Sequence, residues 1–204
     1  MKNGKAVISV LVSGGGTNLQ ALIDAQKSGI IKSGEISLVI SNVEGAYALT
    51  RAKNNGIDTA VITKKSCSNQ SEFEQKIINE LEKAGTDIIV LAGFMSILSE
   101  NFTSRYANRI LNVHPSLIPS FCGKGFYGLK VHEEALKYGV KVTGATVHFV
   151  NEIPDGGEII MQKAVAVREG DTPEKLQKRV MKQAEWKILP LSVEKVCAKL
   201  TKQG

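Results

Sequence analysis

The sequence predicts an α/β fold built on a doubly wound, mostly parallel twisted sheet of the Rossmann-like kind. Short apolar runs alternate with amphipathic helical patterns along the first half of the chain, which is typical of repeated βαβ units. The run DIIVLA at residues 87–92 is almost continuously apolar. Such a run is typical of a parallel strand that is covered on both faces.

The composition predicts one ordinary globular domain. Of the 204 residues, 43% are hydrophobic and 23% are charged, and no apolar run approaches the ~20 residues of a membrane helix. The three cysteines, Cys67, Cys122 and Cys197, are widely spaced, so we expect reduced thiols and a cytoplasmic location. The net charge of +6 comes from dispersed lysines and arginines. We therefore expect small-molecule partners, and neither nucleic acid nor a membrane.

Strands and helices are predicted throughout the chain from its apolar periodicity. The expected strands are residues 6–12, 36–40, 59–62, 87–92, 109–113, 143–150 and 158–167. The expected helices are residues 18–27, 46–54, 72–83 and about 129–138, with a last long helix that opens at residues 171–174. A proline should end or kink this last helix at Pro190.

A glycine-rich loop, SGGGTN at residues 13–18, lies between the first predicted strand and the first predicted helix. Glycines let the backbone approach a ligand closely, and the helix N-terminus offers free N–H groups to an anion. The loop lacks the third glycine of a dinucleotide fingerprint and the Gly-Lys-Ser/Thr of a Walker loop. It therefore predicts a phosphate site, and the alternative is a tight turn that binds nothing.

Asn112 and His114 form the most informative pair in the sequence. They are two residues apart on a predicted strand, so their side chains point to the same side. Pro115 stops the strand, which places the pair at the carboxyl edge of the sheet, where open α/β sheets bind ligands. An amide that can hydrogen-bond an oxyanion, beside an imidazole that can move a proton, suits acyl transfer. The alternative is a structural histidine.

Asp155 lies in the turn PDGG and has two possible roles. It is either a solvated turn residue or, if folding brings it near His114, a carboxylate that raises the pKa of the imidazole and holds a proton-relaying water. Of the other histidines, His132 is expected on a helix surface and His148 is expected to have a structural role beside the site. The spacing of the histidines and cysteines predicts no metal site.

Five motifs together resemble the folate-dependent formyltransferase family. They are SGGGTNLQ at 13–20, LAGFMSIL at 91–98, LNVHPSLIP at 111–119, GATVHFV at 144–150 and the turn Asp155-x-Gly157. They follow the family order across nearly the whole chain.

The length of the chain resembles the short members of that family, which formylate 5′-phosphoribosylglycinamide (glycinamide ribonucleotide) in de novo purine biosynthesis. The longer members carry a further domain at one end. Among these, a formyltetrahydrofolate deformylase or another formyl-folate-dependent formyltransferase remains an alternative.

The resemblance implies a single formyltransferase domain over residues 1–204. Residues 1–112, approximately, would form the half that binds the phosphorylated substrate, and about 113–204 the folate half, with the C-terminal strands and helix completing the cleft. The co-substrate would be 10-formyltetrahydrofolate, with no metal. The substrate amine would attack the formyl carbon directly. Asn112 and a protonated His114 would stabilise the oxyanion, and Asp155 would keep His114 charged and help to move the proton.

The resemblance also implies binding residues. Those for the phosphorylated substrate are Gly15, Gly16, Thr17, Asn18, Lys182 and Glu185. Those for the folate are Met95, Ser96, Ile97, Leu98, Asn112, Val150, Ile153 and Asp155. Lys182 and Glu185 are three apart on a helix and should share one face, and the alternative is an exposed ion pair.

Two positions depart from the family pattern. Ser96 stands where members often carry arginine, and Gln70 stands where some carry an arginine that meets the glutamate tail of the folate. We expect a weaker grip on that tail here, unless Lys64 or Lys65 substitutes.

Overall fold

The computed structural model describes Met1 and residues 4–203, and its described strands form one seven-stranded sheet in the order β3-β2-β1-β4-β5-β6-β7. The strands are β1 (Ala6–Val12), β2 (Gly34–Ser41), β3 (Asp58–Val61), β4 (Ile88–Leu91), β5 (Ile110–His114), β6 (Val142–Phe149) and β7 (Ile159–Ala166). Neighbours from β3 to β5 pair in parallel, whereas β6 and β7 pair antiparallel. The predicted doubly wound, mostly parallel α/β fold is confirmed.

Helices cover both faces of the sheet. They are α1 (Thr17–Lys27), α2 (Tyr47–Lys53), α3 (Gln70–Lys83), α4 (Glu100–Arg105), α5 (Leu129–Tyr138), α6 (Pro173–Val180) and α7 (Trp186–Gln203). A π-helical segment, Met181–Glu185, joins α6 to α7. Within the described residues, no helix has the length and apolar character needed to cross a membrane.

The last helix does not end at Pro190, which lies inside α7. The chain stays helical from Pro173 to Gln203 because its inner face is anchored in the core. Ile188, Leu189 and Val193 are almost completely buried there. Burial of these side chains offsets the hydrogen bond that the proline cannot make.

The hydrophobic core consists of two layers, one on each face of the sheet. Alternate residues of β1 serve the two layers: Val10 packs with the cluster that includes α1 and α7, whereas Leu11 packs with the cluster that includes Phe73 of α3. Every residue of β1 is buried. This two-sided burial explains the continuous apolar runs in the sequence.

The strand order creates a crevice at the carboxyl ends of β1 and β4. The chain leaves β1 toward β2 on one side, and β4 lies on the other, so the direction of winding reverses between them. The glycine loop follows β1, and the loop at residues 93–98 follows β4. The backbone N–H of Met95 donates to Ser13 Oγ over 2.7 Å, which ties the two loops together. Ligands of such folds bind in this crevice.

Candidate active site

Two antiparallel strands place four polar side chains opposite each other at the edge of the crevice. In the register of β5 and β6, Asn112 faces His148 and His114 faces Thr146. Asn112 Nδ2 lies 3.2 Å from His148 Nε2. Because directly opposed residues lie on the same face of a sheet, these side chains form one polar cluster.

The turn after β6 brings Asp155 into this cluster. A Cβ at Gly157 would lie 1.8 Å from the carbonyl oxygen of Phe149, so the turn packs against the end of β6 too closely for a side chain there. Asp155 itself has a left-handed φ of 57°. Its Oδ1 accepts from Asn112 Nδ2 over 3.4 Å, and its Oδ2 lies 3.4 Å from His114 Nδ1. The structure thus brings Asn112, His114 and Asp155 together.

The backbone of the loop at residues 121–123 holds two members of the cluster. The Phe121 carbonyl oxygen lies 2.8 Å from His114 Nε2, so that nitrogen donates its hydrogen to it. The N–H of Gly123 donates to Asp155 Oδ2 over 2.9 Å. With Nε2 engaged as a donor, His114 Nδ1 faces the carboxylate. A second proton on the ring would lie between these two groups.

His114 is only 4% exposed, and this burial favours the neutral form of its imidazole. Desolvation lowers the pKa of His114 below its ordinary value, although the charge of Asp155 and the Phe121 carbonyl both act to raise it. Asp155 therefore acts in the expected direction, but the burial of His114 outweighs it. For Asp155, burial acts to raise the pKa, but His148, His114 and Gly123 outweigh it and the pKa is lowered. Asp155 is a carboxylate at neutral pH.

Two adjoining cavities meet at this cluster, with volumes of about 740 Å³ and about 140 Å³. Asn112 and Asp155 line both of them. The larger cavity reaches Asn18 and Glu185 at its other end and is also lined by Met95, Ser96 and Ile97. The smaller cavity is lined by residues that the resemblance assigned to folate binding, namely Ser96, Ile97, Leu98, Val150 and Ile153.

The glycine loop combines an open backbone with one sterically required glycine. A Cβ on Gly15 would meet nothing within 4 Å. Gly16 has a φ of +72°, and its Cβ would lie 2.6 Å from the Ala48 side chain, so packing against α2 explains this glycine without a ligand. Thr17 begins α1, whose free N–H groups face the crevice end of β1.

The π-helical segment carries Glu185 into the cavity. Glu185 is 6% exposed, and its Oε2 accepts from Asn18 Nδ2 over 2.8 Å. Burial raises the pKa of Glu185 to about 6, although the bond from Asn18 acts to lower it. Lys182 is exposed and lines neither cavity of this site. The exposed ion pair considered as an alternative is wrong, because Glu185 is buried and bonded to Asn18.

The sequence reasoning misplaced His132, and it placed His148 beside the site without its contacts. His132, expected on a surface, is 0% exposed and lines the larger cavity. It shares the buried face of α5 with Val131 and Ala135, a spacing that the sequence did contain. His148 contacts both Asn112 and Asp155, its Nε2 lying 3.5 Å from Asp155 Oδ1. Only the strand register could have revealed that contact.

Gln70 and Ser96, the two positions that depart from the family pattern, each form a hydrogen bond with an uncharged group. Gln70 Nε2 donates to the Ile97 carbonyl over 3.1 Å, and Ser96 Oγ accepts from Asn42 Nδ2 over 2.8 Å. Lys64 and Lys65 are exposed. Across the described residues, no group of three or more histidines, cysteines and carboxylates could hold a metal ion.

Sequence comparisons connect this geometry to known proteins. The model of the formyl transferase family matches residues 6–193. The phosphoribosylglycinamide formyltransferase of Haemophilus influenzae is 44% identical over 187 residues, which is 92% of this chain and 85% of that protein. The trifunctional purine biosynthetic protein adenosine-3 of Homo sapiens is 46% identical over 200 residues, which is 98% of this chain. The chain spans 19% of the length of that trifunctional relative.

Solved structures of similar proteins have the same fold as this chain. The crystal structure of glycinamide ribonucleotide transformylase 1 from Symbiobacterium toebii matches with a TM-score of 0.90 and 38% identity, covering 97% of this chain and 90% of that one. The phosphoribosylglycinamide formyltransferase from Brucella melitensis matches with a TM-score of 0.87 and 41% identity, covering 95% and 96%. Because the family model matches residues 6–193 and the Haemophilus influenzae and Symbiobacterium toebii proteins match over most of their length, the chain belongs to the formyl transferase family.

Proposed function

We propose that this chain transfers the formyl group of 10-formyltetrahydrofolate to the amine of 5′-phosphoribosylglycinamide, a reaction of de novo purine biosynthesis. One observation carries the proposal: Asp155 lies 3.4 Å from both Asn112 and His114 where the two cavities meet. Acyl transfer needs hydrogen-bond donors and a proton carrier at one point that two substrates can reach. The relatives named for this reaction support the assignment.

The reaction begins when the lone pair of the substrate amine attacks the formyl carbon. The π electrons of the carbonyl move to its oxygen, which becomes an oxyanion. Asn112 Nδ2 donates a hydrogen bond to that oxygen, and the positive charge of protonated His114 stabilises it. Burial disfavours the imidazolium in the free protein, whereas Asp155 and the new negative charge favour it. The charge on His114 is therefore most favourable at the moment when the oxyanion forms.

The tetrahedral intermediate then collapses. The oxyanion re-forms the carbonyl, the bond between the formyl carbon and folate N10 breaks, and its electron pair remains on N10. The proton lost by the attacking amine reaches N10 through Asp155 and a bound water. One N–H bond is broken and one is formed, and one C–N bond is formed and one broken, so the step needs no oxidant or reductant.

The substrates occupy opposite ends of the cleft in this proposal. The phosphate binds Gly15, Gly16, Thr17 and Asn18 at the N-terminus of α1, whose free N–H groups favour an anion. Lys182 adds a positive charge from outside the cavity, and Glu185 accepts hydrogen bonds from the ribose or the amine end. The pterin enters the smaller cavity, beside the residues at 95–98, Val150 and Ile153.

The same proposal covers the organisation and setting of the chain. The chain acts as one domain, in which residues 1–112, approximately, supply the phosphate half and about 113–204 the folate half. Its partners are the two small molecules alone, and its location is the cytoplasm. The single sheet, to which both halves contribute strands, supports the one-domain assignment.

A product assay tests the proposal. The protein is incubated with 10-formyltetrahydrofolate, with and without the ribonucleotide, and formylated ribonucleotide, free formate and tetrahydrofolate are quantified. We expect stoichiometric formyl-ribonucleotide and tetrahydrofolate only when the ribonucleotide is present. Formate released at the same rate in its absence would identify a deformylase. No product of either kind would leave only a binding protein.

A further inference from the structure

His132 is a buried polar side chain for which neither the fold nor the proposed chemistry gives a role. It is 0% exposed, and among the described residues neither ring nitrogen has a hydrogen-bond partner. Leaving a buried polar group unpaired destabilises a fold, so such a group calls for an explanation. The other two buried residues of α5, Val131 and Ala135, are apolar and offer no side-chain partner.

His132 lines the larger cavity together with His114, Gln177 and Glu185, although no part of it is exposed in the free protein. It therefore lies directly beneath the wall of the space that the proposal gives to the ribonucleotide, and a ligand reaches the ring only when that wall shifts. Burial lowers the pKa of His132 to about 4, and the charge on His114 acts in the same direction. At neutral pH the ring is uncharged, with one N–H donor and one acceptor nitrogen.

We propose that His132, with Gln177 beside it in the cavity lining, binds the amide linkage of the glycinamide arm of the substrate. This inference rests on the proposed function. The N–H and the carbonyl oxygen of a secondary amide point in opposite directions, so a neutral imidazole can pair with one of them and the side-chain amide of Gln177 with the other. The amide lies between the amine, which must reach Asn112 and His114, and the ribose-phosphate, which must reach Asn18. His132 lines the same cavity as all three of these residues.

The inference predicts opposite effects on stability and binding for one substitution. His132→Leu replaces an unpaired buried polar ring with an apolar side chain that fits a similar space. The thermal midpoint of the ligand-free protein should rise by roughly 2–4 °C. The KM for the ribonucleotide should rise about 10- to 100-fold, because the amide loses its partner. The KM for 10-formyltetrahydrofolate should stay unchanged.

Two variants complete the experiment. His132→Asn keeps a donor and an acceptor, so it should recover part of the ribonucleotide affinity that His132→Leu loses. Glu133→Leu places the same apolar side chain at the adjacent exposed position of α5 and should leave both KM values unchanged. In the unmodified protein, titration with ribonucleotide should shift the ¹⁵N resonances of the His132 ring, which tests contact without any substitution.

The outcomes separate this inference from the proposed function. Formyl transfer by the unmodified protein decides the proposed function. A ribonucleotide KM for His132→Leu within about twofold of normal, or ring resonances that do not move, would overturn the inference while the enzyme assignment stands. A lower thermal midpoint for His132→Leu would also overturn it, because it would mean that the imidazole has a stabilising partner in the free protein.

Discussion

The two ends of the cleft differ in how completely they are built before any substrate arrives. At the end proposed for catalysis, Asn112, His114 and Asp155 are buried or half-buried, and each already has hydrogen-bond or ion-pair partners in the fold. At the end proposed to bind the phosphate, Gly15 and Lys182 are exposed, and one buried oxygen of Asn18 has no partner among the described residues.

This difference indicates a division of work along the cleft. Groups that act on a developing charge are most effective when they are oriented in advance in a water-excluded site. Groups that capture a phosphate need open backbone and access from solvent, and they gain their partners only when the ligand binds. Changes at the catalytic end should therefore lower turnover, and changes at the phosphate end should weaken binding.

The largest expected effect is on turnover at the catalytic end. His114→Ala removes the positive charge that stabilises the oxyanion and the partner of Asp155 in the proton transfer, so kcat should fall by about 10²- to 10⁴-fold. Ribonucleotide binding, measured by titration calorimetry, should remain close to normal because His114 is not placed at the phosphate. Near-normal turnover of this variant would show that the imidazole has no chemical role.

The next effect compares two glycines, one at each end. Gly157→Ala forces a Cβ against the Phe149 carbonyl, so the turn must shift and carry Asp155 with it. We expect kcat to fall by about 10²-fold, the scale of a misplaced catalytic group. Gly15→Ala places its Cβ in open space and serves as the matched control, with kcat retained. If steady-state assays give the same kcat for both variants, the close packing of the turn against the end of β6 has no effect on catalysis.

A smaller effect is expected from the exposed cation at the phosphate end. Lys182→Ala should raise the KM for the ribonucleotide by about 5-fold, the scale of one exposed charge pair, and leave kcat unchanged. The increase should shrink at high salt, because exposed charges are screened. Steady-state kinetics at two ionic strengths measure both quantities. A loss of kcat with an unchanged KM would place Lys182 in the chemistry instead.

The smallest effect concerns the glutamate tail of the folate. Because Gln70 and Ser96 offer only neutral groups, removing the tail should weaken binding little here. Gln70→Arg should strengthen binding of the tailed folate by about 5-fold or less, without changing that of a tailless analogue. Fluorescence titration with both ligands measures the difference. Equal losses on tail removal in this chain and in a relative that carries the arginine would contradict the expectation.

Local patterns in the sequence predicted most of the framework. The helix expected at residues 129–138 coincides with α5, and the period of two along a strand placed Asn112 and His114 on one side. By contrast, α4 was not predicted, because six residues are too few to show a helical period. The π-helical segment, which depends on how the last helix packs, was also not predicted.

The partners of the catalytic groups could not be predicted, because they depend on tertiary geometry. The contact between Asn112 and His148 follows from the register of β5 against β6, which no local pattern encodes. Phe121 and Gly123 act through their backbones, so their side chains carried no signal. The direction of the His114 pKa shift depends on burial, which appears only in the folded chain.

A double-mutant cycle on His114 and Asp155 tests the central claim most directly. If the carboxylate and the imidazole act as one unit, His114→Ala and Asp155→Ala each remove most of the transition-state stabilisation. The double variant should then have a kcat close to that of the more impaired single variant. Losses that multiply, so that the double variant falls by the product of the two single effects, would show independent action and contradict the account.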